Sequence, residues 1–124
     1  GDVYKRQNLN PLNNKLSNVA ARYAKKDARG NPMKDKEGHL IYPSAKAGWQ
    51  GGLADLRAKI AGQTAHGLNA NSTLNQLGNI WAEHTGWARG VSSMSGYGLS
   101  TKLKDMDLMT LARAIARQEG WYVQ

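Results

Sequence analysis

Apolar residues recur at helical spacing in the stretch that follows Ser44. The four positions lie at intervals of four, three and four residues, so they share one face of a helix. They are Trp49, Leu53, Leu56 and Ile60. Ser44 is a good N-cap and Gly62 a stop, and the pattern therefore predicts a helix over 45–61. Asp55 points about 130° away from the apolar face at about 100° per residue, so we expect it in solvent.

The N-terminal third contains a second helical stripe and then a stretch without helical spacing. Residues 14–28 predict a helix, because apolar side chains recur at i, i+3, i+4 and i+7 and Gly30 supplies a stop. The apolar side chains are Leu16, Val19, Ala20 and Tyr23. Residues 31–43 are predicted to be irregular or a small β-hairpin, because Gly38 and Pro43 bracket a short apolar run.

The C-terminal half predicts two or three more helices. Thr73 and Gln76 form a candidate capping box ahead of an apolar stripe. Residues 83–90 predict a polar turn and 91–97 a short helix. The candidate N-caps of a last amphipathic helix are Asp105 and Asp107. We therefore expect a mostly α chain with four to five helices and at most one small β-hairpin near 31–43.

Length and composition are those of one domain. Hydrophobic residues make up 40% of the 124 positions and charged residues 21%, which is enough apolar material for one core, over 8–124. Residues 1–7 show no periodicity and are expected to be a non-native or disordered segment. No apolar run approaches the roughly 18 residues that span a bilayer, so no membrane span is expected. The chain has no cysteine and three scattered histidines, so we expect no disulfide, metal or cofactor.

Positive charge is concentrated at the start of the chain. The net charge is +8. Residues 1–36 carry nine Lys or Arg against three Asp, whereas the rest carries eight bases and six acids. Such a segment predicts an anionic partner, which can be nucleic acid, an acidic membrane face or a bacterial cell wall. The alternative is a solvated basic surface without a partner.

Five short motifs stand in a fixed order along the chain. They read Asn8-Leu9-Asn10-Pro11-Leu12-Asn13, Ile41-Tyr42-Pro43-Ser44-Ala45-Lys46-Ala47-Gly48-Trp49, Ser72-Thr73-Leu74-Asn75-Gln76-Leu77, Trp81-Ala82 and Ala114-Ile115-Ala116-Arg117-Gln118-Glu119-Gly120. Together they resemble a phage and prophage family usually described as virion structural or lysozyme-like proteins, whose first motif is Asn-Asn-Pro-Gly-Asn. The resemblance covers roughly residues 8–121. Leu12 stands in place of the glycine of that motif, and Glu83-His84 in place of Pro-Pro after Trp-Ala.

The resemblance implies an α+β lysozyme-like fold that acts on the glycan strands of bacterial peptidoglycan, in a virion or the bacterial cell envelope. Glycan cleavage needs a protonated carboxylic acid beside the glycosidic oxygen. A hydrolase usually adds a second carboxylate about 5–9 Å away, whereas a lytic transglycosylase manages with one acid, since a hydroxyl of the sugar closes the ring. The candidate catalytic residues are Glu119 and Glu83.

Glu119 is the better candidate for the acid. It lies at the C-terminal end of the predicted last helix, where the helix dipole disfavours a carboxylate, and Trp121 and Tyr122 can desolvate it further. The alternative is an exposed helix-end residue bonded to a neighbour. Glu83 lies in a predicted turn, and loops carry chemistry more often than helix faces do. His84 beside it is either a proton carrier or a surface residue.

Amides and aromatic rings are the candidate sugar-binding groups. Asn10 and Asn13 can bind N-acetyl groups or hydroxyls, although asparagines next to proline also form turns, and Asn13 can cap the first predicted helix. Tyr42, Trp87 and Tyr97 can stack on sugar rings. Trp87 and Tyr97 lie in predicted loops and are therefore freer to meet a ligand, whereas Trp49 and Trp81 lie on helical stripes and are expected in the core.

Two functional hypotheses follow. The first is a phage or prophage domain that binds peptidoglycan and, in its stronger form, cleaves the glycan as a lytic transglycosylase or muramidase. The second is a non-catalytic phage or mobile-element protein that serves virion assembly, with other virion proteins as partners, or binds nucleic acid through basic residues 1–36. No clustered Arg and Asn on one helix face supports sequence-specific DNA recognition.

Overall fold

The chain is mostly helical. A computed structural model describes residues 7–82 and 86–122. Its α-helices are α1 (Ala45–Ile60), α2 (Leu74–Trp81), α3 (Gly86–Ser95) and α4 (Leu108–Gln118), and its short 3-10 helices are Ala20–Tyr23 and Leu103–Asp105. Over these described ranges strand pairing is limited to isolated bridges, so the mostly α class predicted from the sequence is confirmed. None of the described helices has the length and apolar character needed to cross a membrane.

Two compact units make up the fold. The first comprises Gly1–Asp55 and Glu119–Gln124, and the second Leu56–Gln118. The division therefore falls inside α1. The first unit has an apolar core cluster of Ala20, Ala24, Leu40 and Tyr42. The fully buried large side chains of the second unit are Leu56, Leu74, Leu77, Trp87, Val91, Leu103, Leu111 and Ile115.

The helix predicted over 14–28 does not form, and only the four residues Ala20–Tyr23 are helical, as a 3-10 turn. The prediction is wrong because the backbone at both ends of this segment pairs elsewhere. The Asn14 carbonyl accepts from the Leu40 N–H, and the Lys25 N–H donates to the Ile41 carbonyl. The stripe is also not buried as a unit, since Leu16 is 51% exposed. Tertiary pairing thus overrides a modest helical preference.

Helix α1 agrees with the sequence prediction but buries a different face. Glycines line its buried N-terminal half, and each one allows a close approach. A Cβ at Gly48 would collide with the Leu9 carbonyl oxygen, and one at Gly51 would lie 2.5 Å from the Tyr42 ring. One at Gly52 would lie 3.2 Å from Leu12. The two successive glycines that weaken helix propensity are therefore the residues that let the N-terminal loop and Tyr42 reach the helix.

The expectation that Asp55 lies in solvent is wrong, because the residue is only 2% exposed. The buried face of α1 contains Gly48, Gly52, Asp55 and Leu56. Its centre is rotated about 100° around the helix axis from the centre of the predicted apolar stripe, which is the rotation between two successive residues. Trp49 on that stripe is half-buried. Burial thus follows the small residues that admit a close neighbour rather than the largest apolar side chains.

The predicted hairpin near 31–43 is present, and a second turn of the same design precedes it. Asp27 begins one turn and Asp35 the other, and Gly30 and Gly38 occupy the fourth position of each with φ of 84° and 91°. In each turn the glycine N–H donates to the aspartate carbonyl at 3.0 and 3.1 Å respectively. Each turn is therefore a three-residue hairpin loop that ends in a left-handed glycine. We call residues 25–41, which contain both turns, the double hairpin.

A cyclic set of backbone hydrogen bonds closes the double hairpin. The Lys25 N–H donates to Ile41, the Ile41 N–H to Met33, and the Met33 N–H to Lys25, at 2.8, 3.0 and 2.8 Å. The three residues stand eight positions apart, as do the two turns. The segment is therefore a short internal repeat with a period of eight residues. Residues that stand eight apart hold equivalent places in it.

In the second unit the helix ends follow the sequence signals. The capping box of Thr73 and Gln76 is formed at the start of α2, as predicted. Asp107 caps α4, and its carboxylate accepts from the Thr110 N–H and hydroxyl, both at 2.9 Å, which lowers the pKa of Asp107. One boundary differs: α3 is already helical from Gly86, where the sequence predicted a polar turn.

Candidate functional site

Glu119 directly follows the last residue of α4 and is half-buried. Gly120 then takes a left-handed φ of 92° and redirects the chain, which leaves Trp121 buried and Tyr122 60% exposed. Of the two aromatic rings expected to desolvate this region, only Trp121 is withdrawn from water. The sequence thus places a partly accessible carboxyl between a helix terminus and a buried indole. Its role as a proton donor stays a prediction.

Glu83, the second candidate carboxylate, lies outside the described residues together with His84. Its role also stays a prediction. Within the described ranges, no three His, Asp or Glu side chains are grouped so that they could hold a metal ion.

Asn10 is part of the interior rather than an open sugar-binding group. Its Nδ2 donates to the carbonyls of Asn14 and Leu40, both at 2.9 Å, and its Oδ1 accepts from the Asn14 N–H at 3.1 Å. Both amide hydrogens are used and the side chain is fully buried. The motif around Pro11 therefore has a structural role, because the Asn10 carboxamide joins the N-terminal loop to the double hairpin by hydrogen bonds.

Asn13 is the candidate amide that stays accessible. It is half-buried and takes a left-handed φ of 53°, which asparagine tolerates better than most residues. Its N–H donates to the Asn10 carbonyl at 3.0 Å, and it caps no helix, since none begins there. Leu12 stands where the Asn-Asn-Pro-Gly-Asn motif has its glycine. It has no left-handed φ and packs against Gly52.

Tyr42 is buried, so its ring is not available for stacking on a sugar. The hydroxyl donates to Asn14 Oδ1 at 2.9 Å. Burial raises the pKa of Tyr42 to about 12, with the nearby charge of Asp55 adding to the effect and the bond to Asn14 opposing it. The Nδ2 of Asn14 is buried without a hydrogen-bond partner. Sequence analysis missed this polar cluster, whose only signal is the number of asparagines in the N-terminal loop.

Trp87 was predicted to lie in a loop open to ligands, and this is wrong because the residue is 2% exposed. The helix predicted from residue 91 already begins at Gly86 as α3, so its first turn carries Trp87 into the core. Its ring stacks on Trp81 with centroids 5.5 Å apart, and the Lys59 ammonium lies 5.2 Å from the centroid of the Trp81 ring. The indole pair is therefore a packing element of the second unit.

Tyr97 joins the end of α3 to the start of α4. Its hydroxyl accepts from the Asp107 N–H at 2.8 Å, and its N–H donates to the Ser95 hydroxyl. The ring is half-buried, so one part of it stays accessible. Among the described candidates, Asn13 and Glu119 in the first unit and Tyr97 in the second keep some exposure to solvent.

A polar cluster around Asp35 was also absent from the sequence predictions. The carboxylate accepts from Asn8 Nδ2 and from the N–H groups of Glu37 and His39, each at 2.9 Å, and lies 3.3 Å from His39 Nδ1. Partial burial opposes ionisation, but these bonds outweigh it and hold the pKa of Asp35 below its usual value. The signal that could have found the cluster is the repeated Asp-x-x-Gly.

No protein-family model, curated protein or solved structure matches this chain.

Proposed function

We propose that this chain binds the glycan strands of bacterial peptidoglycan and cleaves them with Glu119 as the acid. The observation that carries the proposal is the position of Glu119, a half-buried carboxyl between the end of α4 and the buried Trp121. The ordered motifs that resemble the phage lysozyme-like family support the choice of substrate. The proposal is thus of a lysozyme-like domain.

The chemistry follows from a single well-placed carboxyl. Glu119 donates its proton to the glycosidic oxygen as the bond to the anomeric carbon breaks. In a lytic transglycosylase a hydroxyl of the same sugar then attacks that carbon and returns its proton to the carboxylate, which leaves an anhydro end. In a hydrolase water is the nucleophile and leaves a reducing end, with Glu83 as the second carboxylate. The proposal assigns the binding of acetamido groups or hydroxyls to the Asn13 amide, which stays half-exposed.

The test compares the wild type with Glu119→Gln on purified peptidoglycan. The amide keeps the shape of the side chain but has no acidic proton, so we expect loss of turbidity clearance by about 100-fold or more. Asp105→Asn is the matched control, since it neutralises an exposed carboxylate of the second unit and should clear normally. Product masses then separate anhydro ends from reducing ends. Equal clearance by wild type and Glu119→Gln would contradict the assignment of the acid.

Binding is measured separately with Asn13→Gly. Glycine accepts the left-handed backbone at this position without strain, so the substitution removes the amide while leaving the turn intact. We expect weaker sedimentation with sacculi, by several-fold, at unchanged thermal stability. Unchanged sedimentation would remove Asn13 from the site.

The non-catalytic alternative assigns the same fold to virion assembly. It predicts that neither wild type nor Glu119→Gln clears or sediments with sacculi. That result would shift the proposal to a structural protein of a phage or mobile element.

A further inference from the structure

Seven basic side chains between residues 15 and 36 are exposed. They are Lys15, Arg22, Lys25, Lys26, Arg29, Lys34 and Lys36. None of the seven forms an ion pair with the described part of the chain. In this region, the carboxylates of Asp35 and Glu37 contact the His39 ring instead. Lys26 differs from the other six, because its ammonium donates hydrogen bonds to the carbonyls of Ala21 and Ala24 and is held in place by them. The other six cations therefore face solvent without an ion pair or a side-chain hydrogen bond to the part of the chain that the structure describes.

The carboxylates of the double hairpin do not neutralise these cations. Asp27 Oδ1 accepts from the N–H groups of Arg29 and Asn31, both at 2.9 Å, and Asp35 is bonded in the same manner to its own turn and to Asn8. Both acids are thus directed at backbone donors of the loops. The third acid, Glu37, lies 3.6 Å from His39. The basic side chains thus project from a scaffold whose two turn aspartates accept hydrogen bonds from the backbone of their own loops.

The scaffold holds its cations at fixed spacing. Two successive hairpins have their turns at opposite ends, so Arg29 and Lys36 lie at opposite ends of the central segment 31–35. Five extended residues span roughly 13–17 Å at about 3.3 Å each. That length is comparable to the distance between the phosphates on the two sides of the major groove of duplex DNA, which is about 12 Å wide. Lys25 lies on the segment before the first turn, and Lys34 lies on the segment between the two turns.

We propose that the double hairpin binds the phosphate backbone of duplex nucleic acid without reading its sequence. The backbone that carries the cations is closed by hydrogen bonds, and a duplex presents its phosphates at regular spacing, so binding requires less ordering than with a flexible polyanion. The double hairpin contains no Phe, Trp or Tyr that could stack on an unpaired base, which disfavours single strands. Lysine outnumbers arginine and supplies point charges rather than bidentate base contacts.

This surface is independent of the glycan proposal, because none of its cations is among the residues that the glycan proposal uses, which are Glu119, Glu83 and Asn13. Its binding should depend on salt in a way that glycan binding does not. Each neutralised phosphate contributes about −0.9 to the slope of log K against log salt. With four cations engaged we expect a slope of about −3.6, which is a loss of roughly 100-fold between about 50 and about 200 mM salt.

The experiment measures fluorescence anisotropy of a labelled random-sequence duplex with the full chain over this salt range. The test variant combines Lys25→Gln, Arg29→Gln, Lys34→Gln and Lys36→Gln. The matched control combines Arg57→Gln, Arg89→Gln, Lys104→Gln and Arg113→Gln, four exposed cations of the second unit, so both variants lose the same charge. We expect the test variant to bind at least 10-fold more weakly with a slope near zero, and the control to keep most of the wild-type slope.

Three outcomes would overturn the proposal. One is absence of wild-type binding at the lowest salt, and another is equal loss in the two variants, which would reduce the effect to net charge. The third is equal or tighter binding to a single strand, to a polyol-phosphate polymer or to anionic vesicles, which would assign the surface to another class of partner. Clearance of peptidoglycan by the test variant is measured in parallel, so failure here is distinguishable from failure of the glycan proposal.

Discussion

The Tyr42 ring occupies the space in which a side chain at Gly51 would begin. A Cβ at that position would come within 2.5 Å of both Cε1 and Oη of the phenol. The tyrosine is itself held by the bond of its hydroxyl to Asn14, so it has no room to withdraw. Close packing of α1 in the first unit therefore depends on the absence of one methyl group.

Gly51→Ala is expected to destabilise the protein, although alanine is the better helix former. Overpacking against a buried ring costs about 1–3 kcal/mol and outweighs the gain of about 1 kcal/mol in helix propensity. Gly90→Ala is the matched control within α3, since its Cβ would meet the far end of the flexible Gln118 side chain. Thermal and urea unfolding should show a loss of stability for Gly51→Ala and a neutral or stabilising effect for Gly90→Ala. The same sign for both would contradict this account.

The two turn aspartates should differ in their contribution to stability. Asp27→Ala removes bonds to exposed loop N–H groups, at an expected cost of about 1 kcal/mol. Asp35→Ala also removes the partner of the Asn8 amide, which is buried, so we expect a cost of about 2–3 kcal/mol. Urea denaturation of the two variants side by side measures the difference. Equal costs would show that the bond to Asn8 contributes nothing.

Acid should weaken the protein partly through Asp35. Its pKa is lower in the folded chain than in the unfolded one, so its contribution is complete above the unfolded value of 3.8 and is lost as pH falls towards the folded value. Stability measured from pH 7 down to pH 2 should therefore fall less steeply below about pH 4 in Asp35→Ala than in wild type. Parallel curves would contradict the assignment.

Alkali should weaken the protein through Tyr42. The pKa of this phenol is about 12 in the folded chain, whereas an unfolded tyrosine titrates near 10. The stability that the neutral phenol contributes is thus complete below about pH 10 and is lost as the pH rises from about 10 to 12. Tyrosinate absorbance of the native chain should show a late transition from Tyr42, and Tyr42→Phe should abolish it. A late transition that survives in Tyr42→Phe would belong to another tyrosine.

Asn10→Ala should lose glycan binding because it destabilises the fold, and not because it removes a contact with the sugar. The substitution leaves the buried Leu40 carbonyl without a donor and the buried Asn14 N–H without an acceptor, and each such loss costs about 1–3 kcal/mol. We expect a lower unfolding midpoint in the same protein that loses sedimentation with sacculi. A fully stable Asn10→Ala that no longer binds would restore Asn10 as a ligand-contacting residue.

Local signals predicted the helices whose ends carry caps or glycine stops. The capping box at Thr73, the cap at Asp107 and the apolar spacing of α1 each act within a few residues, so the sequence alone reveals them. The stripe over 14–28 was equally periodic, yet the backbone at its two ends pairs with residues 16 and 26 positions further on. Periodicity carries no information on such long-range competition.

The candidate site was harder to predict because polarity alone does not reveal burial. Asn10 and Asp55 are polar and were expected to meet ligand or solvent, but both lie in the interior of the first unit. For Asn10 the deciding contact is with the Leu40 carbonyl, 30 positions further along the chain, and local polarity does not indicate so distant a partner. Trp87 was misplaced for a different reason, since a boundary shift of a few residues in α3 moves its ring from a loop into the core.

The double hairpin also bears on how this chain tolerates change. Each turn is defined by its aspartate and its glycine, whereas the two residues between them, Ala28-Arg29 in one and Lys36-Glu37 in the other, contribute only backbone atoms to the turn hydrogen bonds. Those four positions can diverge between relatives or be randomised in a library without disturbing the turns. The chain thus has two small display loops, whose recognition properties can evolve independently of its stability.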